Sequence, residues 1–202
     1  SWIGQVTAVG TAVQIETLCT SVSWGSAAGV GIFSVQFFGA KDFTSFKKSF
    51  GLSVLLALIS GLFWFSVASF FGKVILQFYI SDASVIQNGL AYLNIAKFSY
   101  FPLALSFVFN MTYRNINRPK VPLIIGIIAM IMNIVVNYVL IFGLYGFPPM
   151  GIQGAAMGTC IAQMSSLCIH VLYAYQTKQP FIGSFQEMFT FDRYFIQPIL
   201  QK

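Results

Sequence analysis

Charge is what this sequence has least of. Only 8% of its 202 residues are Asp, Glu, Lys or Arg, against 57% hydrophobic and 17% aromatic. A soluble globule of this length must cover its exterior with charged side chains, so a water-facing fold is excluded and the bilayer is the expected exterior. Cysteine is scarce as well: Cys19, Cys160 and Cys168 lie inside apolar runs without paired spacing, which suggests neither a disulfide framework nor a zinc site. They read as small core hydrophobes. Histidine occurs once, at His170, far from any paired acid, and fits helix packing better than metal ligation or proton relay. No phosphate loop, nucleophile elbow or His/Cys ligand set occurs, so no catalytic residue is assigned and an enzyme is not expected. A charged leader with an Ala-x-Ala site is missing too, so targeting rests on the apolar segments themselves.

What is there is length of apolar sequence. Crossing roughly 30 Å of hydrocarbon takes about 20 helical residues. Five runs reach that length, over 6–38, 51–80, 85–113, 121–142 and 152–175. The expectation is an all-α, polytopic transmembrane helix bundle. The first three runs exceed one bilayer thickness, which implies tilt or extension into the headgroup layer. The chain opens at Ser1 and ends as a new apolar stretch, 194–200, begins, so a fragment of a longer protein is expected.

Basic residues punctuate these runs in alternation. Lys41, Lys47 and Lys48 follow the first, Arg114, Arg118 and Lys120 the third, and Lys178, Arg193 and Lys202 the fifth, while 81–84 and 143–151 hold no Lys or Arg. By the positive-inside rule, segments 39–50, 114–120 and 176–193 are expected to be cytoplasmic, with Asp82 and Gly146-Phe147-Pro148-Pro149 outside. The net charge of +6 then follows from topology, and a nucleic-acid partner gains no support. Lys73 and Lys97 lie toward the outer ends of their runs, where they can snorkel.

Gly25 and Gly29 give a Gly-x-x-x-Gly spacing that lets another helix approach the first run closely. After the last run, Phe181, Phe185, Met188 and Phe189 stand at helical spacing among polar residues, as in a helix lying in the interface and connecting two helix groups.

Ionisable or strongly polar side chains at membrane depth cost up to roughly 2.5 to 3.5 kcal/mol on insertion scales, so each needs a partner, a water-filled cavity or a function. Glu16, Thr20, Ser23 and the small Ala27 share one face of the first run. Two readings fit that stripe: it lines a cavity, or Glu16 bonds a neighbouring helix or snorkels outward. In the fourth run Asn133 and Asn137 stand at i and i+4 on an otherwise aliphatic helix, and in the fifth Thr159 and Gln163 repeat the spacing. Their oxygens could coordinate a cation. Spacing alone favours interhelical bonding, worth about 0.6 to 2 kcal/mol per bond. Asn110 and Tyr113 carry the same ambiguity.

Several motifs together resemble the multidrug and toxic compound extrusion (MATE) transporters. Gln36-Phe-Phe-Gly39-Ala40-Lys41-Asp42 is similar to that family's Gln-x-x-Gly-Ala-x-Asp signature. Ala91-Tyr92-Leu93, Tyr113-Arg114, Asn133-x-x-x-Asn137 followed by Leu140-Ile-Phe-Gly143, and Pro149-Met-Gly151-Ile-Gln-Gly154-Ala155-Ala156-x-x-Thr159 agree in order and spacing.

The resemblance implies a twelve-helix antiporter whose two six-helix lobes rock about a central cavity, exporting small organic compounds, often cations, in exchange for Na+ or H+. It needs no cofactor beyond that coupling ion, and its partners are the lipid bilayer and the rest of the same chain. On this reading residues 1–178 resemble helices two to six of the amino-terminal lobe, 179–193 an interfacial linker and 194–202 the start of helix seven, in the plasma (inner) membrane. The family's amino-terminal cation site uses a helix-one aspartate, two helix-five residues and a helix-six threonine. Asn133 and Asn137 match the pair and Thr159 the threonine. Where some branches have aspartate, Asn137 stands here, so the charge falls to the helix-one carboxylate and the fragment alone is expected to bind cations poorly. Glu16 matches no shared site residue. Two alternatives remain: a flippase for lipid-linked oligosaccharides or polysaccharides, which a cavity lined with Arg and Lys in the remaining chain would favour, and a membrane assembly partner that does not transport.

Overall fold

The computed structural model describes residues 2–191 and Phe195. Its elements are α1 (Trp2–Gly39), α2 (Phe43–Tyr79), α3 (Ala83–Ala96), a 3-10 turn (Lys97–Ser99), α4 (Tyr100–Asn115), α5 (Lys120–Phe142), α6 (Gly151–Gln176) and the short α7 (Phe185–Phe189). No strand occurs among the described residues. Five segments are long and apolar enough to cross a bilayer: Val6–Gly39, Phe43–Tyr79, Ala83–Asn115, Lys120–Phe142 and Gly151–Gln176. The continuation expected over 194–202 lies outside the described residues, Phe195 aside.

The expected loop over 39–50 is corrected to a three-residue connection. Lys41 takes a positive φ of 59°, and the Asp42 carboxylate accepts from the Ser45 amide at 3.0 Å, capping α2 at Phe43. Lys47 and Lys48 therefore stand on the helix. Phe46 and Phe50, one turn apart and buried, fix that start by packing inward, which outweighs the local charge. At 1.5 Å per residue α2 is roughly 55 Å long, so it must extend beyond the hydrocarbon or tilt.

The third span is not one unbroken helix. Pro102 has no amide proton and its ring would clash with the carbonyl four residues back, so the chain tightens into the 3-10 turn just before it. Ser99 donates its hydroxyl to the Ala96 carbonyl at 2.7 Å inside that turn.

Three buried clusters run along the bundle. At the basic end Phe46, Phe50, Phe109, Tyr113 and Phe181 pack together. Near the middle lie Ile15, Cys19, Ala68, Leu93 and Tyr100. At the uncharged end lie Ala12, Leu76, Ile86, Tyr92, Ala96 and Ala156. Outside them the surface is strongly apolar: Phe70, Phe78, Leu123, Ile134 and Phe142 are all exposed. A water-soluble protein would not carry such a surface, whereas lipid accepts it because every helical backbone group is satisfied internally.

Two expectations about local packing need correction. Gly25 and Gly29 meet no neighbour, because the packing face of α1 is Ala12, Ile15, Cys19, Ser23, Ala27, Val30 and Ser34, and the two glycines lie off it. Close approach happens elsewhere: a Cβ on Gly154 of α6 would come within 2.8 Å of the Leu140 carbonyl carbon on α5. Over residues 177–191 the segment after α6 is helical only at Phe185–Phe189, and Phe181 is fully buried in the basic-end cluster, not spread on an interface.

That segment is nonetheless firmly held. The Lys47 ammonium donates to Glu187 Oε2 at 3.1 Å, and Glu187 accepts from the Ser184 amide at 3.0 Å in a capping box. A Cβ on Gly51 would overlap the Met188 carbonyl, so α7 lies directly on the α2 backbone.

Candidate functional site

α5 packs closely along α6 but barely touches α4, and the gap is a cavity of about 420 Å³. Its lining comes from three helices: Leu103, Ser106, Phe107 and Asn110 of α4, Gly126, Ala129, Met130 and Asn133 of α5, and Thr159, Ala162, Gln163 and Ser166 of α6. A groove of comparable size continues toward the basic end past Arg114 and Pro119, sharing Asn110, Gly126 and Met130 with it.

Asn133, Thr159 and Gln163 are thus brought together in one wall. Asn137 is behind Asn133: its Nδ2 donates to Asn133 Oδ1 at 3.0 Å. Its own Oδ1 is buried without a partner against α6, where a Cβ on Gly158 would overlap it. Thr159 donates its hydroxyl to the Ala155 carbonyl at 3.1 Å, which leaves its oxygen able to accept, with Tyr92 of α3 nearby. Asn110 Nδ2 donates to the Ser106 carbonyl at 2.9 Å, and Ser106 Oγ is buried without a partner.

The lining therefore offers amide and hydroxyl oxygens and no formal charge. Such groups can strip part of the water from a hard cation or orient a polar ligand, but they supply no negative charge of their own.

The α1 stripe falls apart in space. Ser23 is sealed at 2% exposure in the α1–α2 interface, its hydroxyl 3.3 Å from that of Ser60, which is interhelical bonding and not cavity lining. Thr20 bonds back to the Glu16 carbonyl at 2.8 Å. Glu16 is half-buried and faces α3, α4 and α6. His170 is buried between Phe109 and Tyr113, with Nδ1 donating to the Ser166 carbonyl at 2.8 Å. Lys97 turns outward to Asn94 and lies over the Phe65 ring. Cys168 is exposed, unlike the buried Cys19.

Ser106 and Gly158 were not singled out from sequence. A lone serine in a span carries no pattern, but Gly154-x-x-x-Gly158 beside Thr159 offered the same close-approach signal as Gly25 and Gly29, with carboxamides on the facing helix.

A family model described as MatE matches residues 4–139. Among curated proteins, a probable multidrug resistance protein, YoeA of Bacillus subtilis (strain 168), is 27% identical over 181 residues, covering 89% of this chain and 39% of that protein. A probable multidrug resistance protein, NorM of Agrobacterium fabrum, is 31% identical over 160 residues, covering 77% of this chain and 34% of that protein. The chain thus spans little more than a third of the length of these relatives. A solved structure of MATE in the bent conformation superposes with a TM-score of 0.85 over 98% of this chain and 43% of that one, at 16% identity. An inward-facing multidrug resistance MATE family transporter does so at 0.80, over 98% of this chain and 44% of that one, at 16% identity. These likenesses establish the fold, an all-α membrane-spanning bundle. The matched family model covers most of the chain, and the chain belongs to the MatE family of multi-pass membrane transporters.

Proposed function

We propose that this chain forms part of the amino-terminal lobe of a secondary active exporter that extrudes small organic compounds, often cations, in exchange for Na+ or H+. The observation that carries this reading is the cavity between α4, α5 and α6, whose wall joins Asn133 and Thr159 and is neutral throughout. Asn133 and Thr159 act as oxygen ligands for the coupling ion, and Asn137 holds the Asn133 carbonyl in place through its 3.0 Å hydrogen bond. A carboxylate from outside this chain supplies the charge. Gln163, Asn110 and Ser106 offer polar contacts to a ligand, while Phe107 and Met130 supply the apolar area that organic cations need. The curated relatives named as multidrug resistance proteins support the substrate class.

Transport then follows alternating access, in which two lobes rock about a fixed central site. The basic connections at Lys41 and at Arg118 face the cytoplasm of the plasma membrane under the positive-inside rule. A flippase reading would be favoured by Arg and Lys lining the cavity in the rest of the protein; among the described residues no Lys or Arg lines this wall, and Arg114 stands only in the groove beyond it.

The test is dye and drug efflux from cells expressing the full-length protein, with sodium and proton gradients collapsed separately by ionophores. Efflux that stops with one gradient supports antiport and names the ion. Efflux that persists with both collapsed, or none under any gradient, defeats the proposal.

A further inference from the structure

Glu16 is a half-buried ionisable side chain of α1 without a part in the Asn133 cavity. It stands fourteen residues past Trp2, where α1 starts, roughly 21 Å along the helix at 1.5 Å per residue. Its helix neighbours Ala12, Ile15 and Cys19 are at most 2% exposed, which places Glu16 at the edge of the face that α1 turns inward. Ala12 shares a packed cluster with Tyr92, Ala96 and Ala156, and Cys19 shares one with Leu93 and Tyr100. Glu16 sits one turn from each, within electrostatic range of Cys19 of its own helix, Tyr92 of α3, Tyr100 of α4 and Cys160 of α6.

Two donors in this region lack acceptors. Tyr100 is fully buried and its hydroxyl has no hydrogen-bond partner, and Trp64 Nε1 of α2, packed on the same cluster, is buried without one. An unpaired buried donor is costly and marks a place where an acceptor belongs in some state of the protein. Among the described residues no base competes for the carboxyl: Lys73 of α2 is exposed, and Lys97 donates to Asn94 at 3.2 Å over the Phe65 and Phe98 rings.

The neighbours also choose the ligand. A hard metal cation takes about six oxygens, and here one carboxyl and two phenols are interleaved with the thiols of Cys19 and Cys160. Among the described residues no three His, Cys, Asp or Glu side chains gather as a metal site. A proton needs only the carboxyl. We propose that Glu16 is a proton-exchange site, taking up H+ as a carboxylic acid and returning it in each cycle, with the Tyr100 hydroxyl donating to the ionised form. Tyr92 lies near Thr159 and joins this site to the cavity. The assignment deepens the exporter reading and rests on it for its place in a transport cycle.

Infrared difference spectra of the purified full-length protein across a pH titration test the site directly. The expected result is a carboxylic C=O band that Glu16→Gln removes, Glu16→Asp shifts in frequency, and Tyr100→Phe moves in midpoint. Substrate affinity that changes about tenfold or more across the titration in the unmodified protein then changes less than about twofold in Glu16→Gln. A spectrum unchanged in Glu16→Gln overturns the proposal. So does a Glu16 signal that follows sodium and ignores pH. If the band is present and lost in Glu16→Gln but no gradient drives efflux, the proton site stands and the exporter reading falls.

Discussion

Gly158 of α6 lies so close to Asn137 of α5 that a Cβ on it would overlap the carboxamide oxygen. The same carboxamide donates through Nδ2 to Asn133, at the wall of the cavity. A backbone without a side chain on one helix therefore sets the position of a polar group on the next.

Gly158→Ala is expected to push Asn137 off Asn133 and to cost about 1–3 kcal/mol, the usual range for overpacking a tight contact. Thermal unfolding of the full-length protein measures it. In an Asn137→Ala background only the 3.3 Å contact with the residue 137 backbone nitrogen remains, so the cost of Gly158→Ala should fall below about 0.5 kcal/mol, the scatter expected of independent sites. Additive costs would mean that α5 and α6 are held apart by something other than this pair.

Asn133→Ala removes both a cavity oxygen and the acceptor of the Asn137 amide. The half-saturating concentration of the coupling ion should rise about tenfold, equivalent to roughly 1.4 kcal/mol. Gln163→Ala, which removes a wall group outside that hydrogen bond, should change substrate affinity more than ion dependence. Efflux titrated with ion at fixed substrate, and with substrate at fixed ion, separates the two. Unaltered ion dependence in Asn133→Ala would remove Asn133 from the coupling site.

The spans were legible because bilayer thickness and charged punctuation act on long stretches, which a single sequence displays well. Local exceptions were not. Lys47 and Lys48 look like loop residues until Asp42 is seen capping Ser45 and Phe46 and Phe50 are seen packing inward. Asn133, Thr159 and Gln163 could be grouped by helical spacing, but that they share one cavity depends on the gap between α4 and α5, which no periodicity encodes. Gly25 and Gly158 sit in equivalent spacings, and only the neighbours of each tell them apart.

The spacing of Phe181, Phe185, Met188 and Phe189 suggests a helix lying in the interface, yet Phe181 meets the rings of Phe46, Phe50, Phe109 and Tyr113 at centroid distances of 4.8 to 6.4 Å. Phe181→Ala should therefore cost about 3–5 kcal/mol, whereas Phe185→Ala, on an exposed residue, should cost within about 0.5 kcal/mol. Thermal unfolding of the two variants in the same detergent decides. Equal, small losses would show that the segment after α6 contributes no core.

The Lys47 and Glu187 pair makes the docking of α7 on α2 depend on pH. The hydrogen bond from Lys47, then the Ser184 amide, then the Lys47 charge hold the Glu187 carboxyl below the ordinary glutamate value. A carboxyl so depressed strengthens docking at pH above about 4.3, its unfolded value, and loses that contribution as pH falls through the lower folded value. Both side chains are partly exposed, so the effect is local and salt-sensitive and leaves global stability nearly unchanged. Spin labels at Thr44 and Gln186, both exposed, report it as a distance distribution. It should be narrow at neutral pH and broaden on acidification below the glutamate range, while Glu187→Gln and Lys47→Ala should broaden it already at neutral pH. A distribution indifferent to acid and to both substitutions would mean that the backbone contact of Met188 with Gly51 alone holds α7 in place.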